Sequence, residues 1–146
     1  MIGILLVTHS FLGNAFIQAV EQILGPQQNL KAVAINGDFD HQVKWGDFME
    51  CVGTLDQGNG VLVLTDLFGS APSNLAIAGL GAGKVEVVVG INLPMLVAVL
   101  ENRHRMTLDA LAEFAQSAGQ KDIKIASSLL ESVSVEKSPV ESKRID

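Results

Sequence analysis

The chain has 146 residues, 48% hydrophobic and 18% charged, with a formal net charge of −6 and a pI of about 4.9. That balance suits one folded domain rather than a disordered chain, and its acidity argues against nucleic acid or an anionic membrane surface as principal partner. No apolar run reaches the ~20 residues that cross a bilayer, the Met1 end lacks a basic, cleavable leader, and the single Cys51 excludes an internal disulfide or a multi-cysteine metal cage; a cytoplasmic protein without direct membrane insertion is expected.

The opening run Ile2-Gly3-Ile4-Leu5-Leu6-Val7 is apolar without alternation, then stops at Thr8-His9-Ser10. Such a run predicts a strand covered on both faces, as in a parallel sheet between helices. In open α/β sheets ligands bind beyond the carboxyl ends of the strands, which places His9 at the mouth of a site. Gly13 to Leu24 carries Phe16, Val20, Ile23 and Leu24 at helical spacing, and Gly25-Pro26 ends that helix. Leu30 to Ile35 reads as a second strand. After the turn Asn36-Gly37-Asp38, a helix from about His41 to Leu55 follows, with Asp38 or Asp40 as its cap.

Gly60 to Thr65 repeats the opening design: an apolar strand, a threonine, then a polar residue, here Asp66. The small-residue segment Leu67 to Ser73 runs into a helix expected from Ser73 to Leu80, with Ser70 and Ser73 as capping candidates and Pro72 suited to its first turn. Gly79-Leu80-Gly81-Ala82-Gly83-Lys84 has the glycines of a phosphate loop in the wrong context, since a helix precedes it and the strand Val85 to Ile91 follows. Asn92-Leu93-Pro94 opens a helix to Leu100 that is apolar all round, which suggests burial at a subunit interface. Thr107 caps the next helix, expected to end at Gly119. Asp122 to Ser127 alternates polar and apolar residues, as a half-solvated edge strand does. One domain over residues 1–130 and a mobile tail over 131–146 are expected.

The order of elements predicts a doubly wound α/β fold with four parallel strands. If the strand order reverses beside the first strand, His9 and Asp66 meet there. A carboxylate that accepts from one imidazole nitrogen fixes the tautomer and frees the other nitrogen as a nucleophile. Backbone amides and the Ser10, Ser70 and Ser73 hydroxyls around the pair favour a negatively charged group on the ring. Phosphoryl transfer fits this set, because positioning and charge stabilisation supply most of its catalysis. No metal or other cofactor is called for.

Three segments, Val7-Thr8-His9, Leu64 to Asn74 and Gly90 to Leu96, together resemble the mannose-type IIA component of the bacterial phosphoenolpyruvate:sugar phosphotransferase system. The resemblance covers about Met1 to Ser128. It implies that His9 takes a phosphoryl group from the phosphocarrier HPr, on Nε2, and passes it to a IIB component for sugar uptake, with Asp66 orienting Nδ1. It implies a phosphate site at Ser10, Phe68, Gly69, Ser70, Ala71 and Ser73. It also implies a homodimer in which the C-terminal antiparallel edge strand, Asp122 to Ser127, is swapped between subunits. One departure stands out: where the family reads Gly-Gly-Ser-Pro, this chain has Gly69-Ser70-Ala71-Pro72, without the hydroxyl before the proline.

A regulatory phospho-switch without sugar transport would use the same site and differ only in its partner. A receiver domain would need acidic residues where Thr8-His9 stands. A serine hydrolase would need a Gly-x-Ser-x-Gly elbow, which is absent. His41 and His104 have no second ligand at metal spacing and read as surface residues. Arg103 and Arg105 read as exposed groups able to meet an acidic partner.

Overall fold

A computed structural model of the chain describes residues 1–81 and 84–133. Strands β1 (Gly3–His9), β2 (Leu30–Ile35), β3 (Val61–Thr65) and β4 (Val85–Val89) alternate with helices α1 (Leu12–Leu24), α2 (His41–Leu55) and α3 (Ala71–Ile77). Helix α4 (Leu93–Asn102), a 3-10 turn (Arg103–Arg105), α5 (Leu108–Lys121) and α6 (Ala126–Val133) follow. The strands form one parallel sheet in the order β2-β1-β3-β4. The chain therefore leaves β1 in one direction and returns to pair β3 on its other side, as the switch-point argument requires.

The unbroken apolar runs of β1 and β3 are explained by the two cores they separate. Ile4, Leu6, Leu62 and Leu64 pack with Val20, Leu96, Val99 and Leu111 on the α1, α4 and α5 face. Leu5, Val7, Val61 and Val63 pack with Phe48, Val52, Leu55 and Ala76 on the α2 and α3 face. Close approach requires glycine at position 3, where a Cβ would stand 2.6 Å from Leu55 Cβ.

Several expectations are corrected. The expected edge strand over Asp122–Ser127 is not formed: α5 runs to Lys121, and Ala126–Val133 coils into α6. The polar/apolar alternation is only four residues long, Asp122 to Ile125. Beyond it Ala126, Leu129 and Leu130 fall at i, i+3 and i+4, which favours a helix. Helix α6 also reaches past the expected boundary at residue 130, and the rest of the expected tail, 134–146, lies outside the described residues. Apolar α4 needs no second subunit to explain it, because α1 and α5 pack against it within the chain. Gly119 does not end α5 but lies inside it, where its carbonyl accepts from Asn92 Nδ2 at 3.0 Å. Arg103 is buried, not a docking group, and its guanidinium donates to the carbonyls of Gln28 (2.5 Å), Asn29 (2.9 Å) and Ile2 (3.4 Å). The long planar fork satisfies carbonyls at the amino ends of two strands, which a short or singly donating side chain could not.

Candidate active site

β1 and β3 lie side by side in register, with Val7 opposite Thr65, so the residues just beyond them emerge together. At the β1 end the Ser10 amide donates to Ile35 O (2.9 Å), and Ser10 turns the chain with a left-handed φ of 47°. A serine in that region carries a strain of about 1 kcal/mol, held here beside His9. Buried Thr8 braces the same turn: its hydroxyl accepts from the Gly13 amide (2.8 Å) and donates to the His9 carbonyl (3.2 Å). The first turn of α1, which begins at Leu12, is thereby fixed three residues past His9.

Asp66 is organised around that histidine. Its Oδ2 lies 2.8 Å from His9 Nδ1 and accepts from the His9 amide at 3.0 Å, while Oδ1 accepts from the Leu67 amide at 3.0 Å. A carboxylate only accepts, so the pair places the imidazole proton on Nδ1 and leaves Nε2 with a lone pair. The two side chains differ in exposure: 53% for His9, 12% for Asp66. Partial burial alone would raise the Asp66 pKa, but hydrogen bonds from the His9 amide, the His9 ring and its own backbone amide outweigh it, and the net shift is downward. The carboxylate is thus held ionised under an exposed imidazole, which stabilises positive charge on the ring.

The loop that follows is built by its serines. Ser73 is fully buried, accepts from the Gly69 amide (2.9 Å) and donates to the Ser70 carbonyl (3.0 Å). Ser70 occupies the position before α3, yet its hydroxyl donates to the Leu67 carbonyl (2.5 Å) and caps nothing. α3 begins at Ala71, two residues earlier than expected, and Gly69 supplies the left-handed φ of 84° that the turn needs. Of the expected phosphate-binding residues, Ser73 and Gly69 are therefore spent on each other, whereas Ser10 is exposed and its hydroxyl has no partner among the described residues. The amides of Phe68 and Ala71 likewise meet no acceptor among the described residues. Exposed apolar side chains follow each member of the pair in the chain: Phe11 is 65% exposed, Leu67 63% and Phe68 74%.

A family model described as "PTS system fructose IIA component" matches residues 3–116. The chain belongs to this IIA family. It is 26% identical over 134 residues to the fructose-specific EIIA component of Bacillus subtilis, covering 91% of this chain and 92% of that one. It is 28% identical over 125 residues to the mannose-specific EIIAB component of Escherichia coli, covering 84% of this chain and 39% of that longer one. Among solved structures, the phosphotransferase system component EIIA of Streptococcus agalactiae superposes with a TM-score of 0.79 at 24% identity, over 88% of this chain and 99% of that one. The IIA resemblance and the α/β fold read from the sequence are thereby borne out, and membership implies a phosphoryl carrier role in a phosphotransferase system.

Thr8 escaped sequence reading as a contributor, and Ser73 was read as a cap and a phosphate ligand; burial with two hydrogen bonds each marks both as scaffold. The Thr65 hydroxyl at the end of β3 is buried with no partner among the described residues, one residue before Asp66. A threonine at or next to the end of both strands of the pair was the available signal.

Proposed function

We propose that the chain carries phosphate between proteins on His9, taking it from HPr and giving it to a IIB component for sugar uptake and phosphorylation. The observation that carries this reading is the 2.8 Å contact of His9 Nδ1 with Asp66 beneath an exposed ring. The Nε2 lone pair attacks the phosphorus of the donor's phosphohistidine. The donor N–P bond breaks, and its electron pair returns to the donor imidazole. His9 then holds the phosphoryl group on Nε2 and keeps its proton on Nδ1, with the ring charge opposed by Asp66. Attack on this N–P bond by an acceptor nucleophile reverses the sequence. Ser10 and the Phe68 and Ala71 amides are the donors suited to the phosphoryl oxygens, and the Gly69, Ser70 and Ser73 groups shape the loop that presents them. Without the family serine at Ala71, backbone amides take a larger share of the charge.

The reading includes a cytoplasmic homodimer. No helix among the described residues is long and apolar enough to cross a membrane. Ile123 (78% exposed), Ile125 (72%) and Leu130 (61%) are large apolar side chains left in water, and Ile123 lines a pocket with Val88 and Val89 of β4, at the free edge of the sheet. Light scattering at micromolar concentration tests this part, and a monomer there removes it.

The test of the carrier role is incubation with phosphoenolpyruvate, enzyme I and HPr. Acid-labile phosphate is expected on His9 and should be absent from His9→Ala, whose fold survives because the side chain is exposed. Uptake at full rate by His9→Ala overturns the assignment. Onward transfer to a IIB protein supports transport, while a phosphorylated dead end favours the regulatory switch.

A further inference from the structure

Beside the phosphate loop lies an aromatic cleft that the chemistry at His9 does not use. Phe39, His41 and Trp45 form one wall; Ala71, Asn74 and Leu75 form the other, around a cavity of about 470 Å³. Phe39 and His41 rings lie 4.3 Å apart, and Trp45 stacks on buried Phe48 with centroids 5.6 Å apart, so the aromatic wall is fixed from behind. Trp45 nonetheless remains 37% exposed. The cleft opens at the carboxyl edge of the sheet: Phe39 follows β2, whose last residue pairs with His9, and Ala71 follows Asp66 by one short loop. The phosphate loop and the cleft therefore share Ala71 as a wall.

We propose that this cleft anchors the protein that charges His9, receiving an apolar side chain from a basic surface of the donor. The inference rests on the carrier reading. Phosphoryl transfer between two proteins requires the donor surface to cover His9, and a standard interface buries about 800 Å² per partner, a disc reaching roughly 15 Å from its centre. A concave, rigid aromatic slot that shares Ala71 with the phosphate loop is the kind of pocket that anchor residues fill. The rim sets the charge of the partner. Asp38 and Asp40 flank Phe39 in the chain and are exposed, and the Asp40 side chain accepts from the Gln42 and Val43 amides. The nearest cation in the chain, Lys44, is paired with Asp47 at 3.7 Å. An apolar side chain set among lysines or arginines complements this rim. A donor is required whether the phosphate goes on to transport or to regulation, so the cleft is assigned to the donor and not to the acceptor.

Trp45 is the only tryptophan, so its emission reports on the cleft directly. Unphosphorylated HPr titrated into His9→Ala, which docks without reacting, should shift that emission saturably to the blue as water leaves the indole. Ala78→Arg, at the exposed end of α3 where it lines the same cleft, should raise the KM for phospho-HPr about tenfold, as loss of one anchor contact does. Wild-type protein phosphorylated normally while Trp45 emission stays unmoved, and Ala78→Arg with an unchanged KM, overturn the anchor and leave the carrier reading intact. An emission change that follows the protein's own concentration instead makes the cleft a contact between copies and overturns the donor assignment. Failure of phospho-HPr to charge the wild type overturns both readings.

Discussion

At the level of single residues, the chemistry turns on one carboxylate that accepts three hydrogen bonds, two of them from His9. Asp66→Asn keeps an acceptor for the ring but removes the charge that opposes a cationic imidazole. Transfer should slow about 100-fold, the scale on which positioned acid–base partners act, while HPr binding persists; stopped phosphotransfer followed with labelled phosphate measures it, and unchanged kinetics would make the carboxylate structural only. The same hydrogen bonds couple Asp66 to stability. Its folded pKa lies below the ordinary carboxyl value of about 3.9, so between the two values the unfolded chain binds more protons than the folded one. The stabilisation is complete above about pH 4 and is lost as pH falls through the folded value. Urea unfolding between pH 5 and pH 3 should therefore show a shallower acid decline in Asp66→Asn than in the wild type; parallel declines would mean other carboxylates carry it.

At the level of elements, the loop before α3 separates hydroxyls that build from hydroxyls that bind. Ser73→Ala removes two part-buried hydrogen bonds, one of them the hold on the exposed Gly69 amide. It should cost about 1–3 kcal/mol of stability, read from denaturant midpoints, and should slow transfer through the distorted loop. Ser10→Ala touches no internal bond of its hydroxyl and should slow transfer with no such loss; equal stability losses in both would erase the distinction. In sequence both serines were phosphate-binding candidates, because burial is a tertiary property that neither segment spells out. The strands were legible for the opposite reason. Runs such as Val61 to Leu64 have only one comfortable environment, between two layers of helices. Asp122 to Ile125 lacked that redundancy: four alternating residues specify a strand only if another strand pairs with them, and the neighbouring Ala126, Leu129 and Leu130 spacing specifies a helix locally. Helix α6 follows from that competition.

At the level of the molecule, the strand order that joins His9 to Asp66 was foreseeable from connection rules, since two parallel crossovers from a central strand leave few arrangements. The brace at the other end of the sheet was not. Arg103 lies 101 residues from Ile2 in the chain, and nothing near it in sequence marks it as buried. Its position divides the molecule functionally: the guanidinium holds the amino ends of β1 and β2, whereas His9 stands at the carboxyl end of the seven-residue β1, about 20 Å away at strand rise. Burial pushes the Arg103 pKa down, and no carboxylate among the described residues pairs with it, so carbonyl oxygens alone hold the charge. Arg103→Met keeps much of the volume but removes the donors to the Ile2 and Gln28 carbonyls, whereas Asn29 keeps the Ile4 amide. Stability should fall by about 1–3 kcal/mol, the cost of leaving a buried acceptor unsatisfied, seen as a lower urea midpoint. The rate of His9 phosphorylation per folded molecule should not change, because the strand ends that meet at His9 are fixed independently by Thr8, Ser10 and Asp66. A variant that keeps its midpoint, or that loses transfer while folded, would show that the two ends of the sheet are not separable in this way.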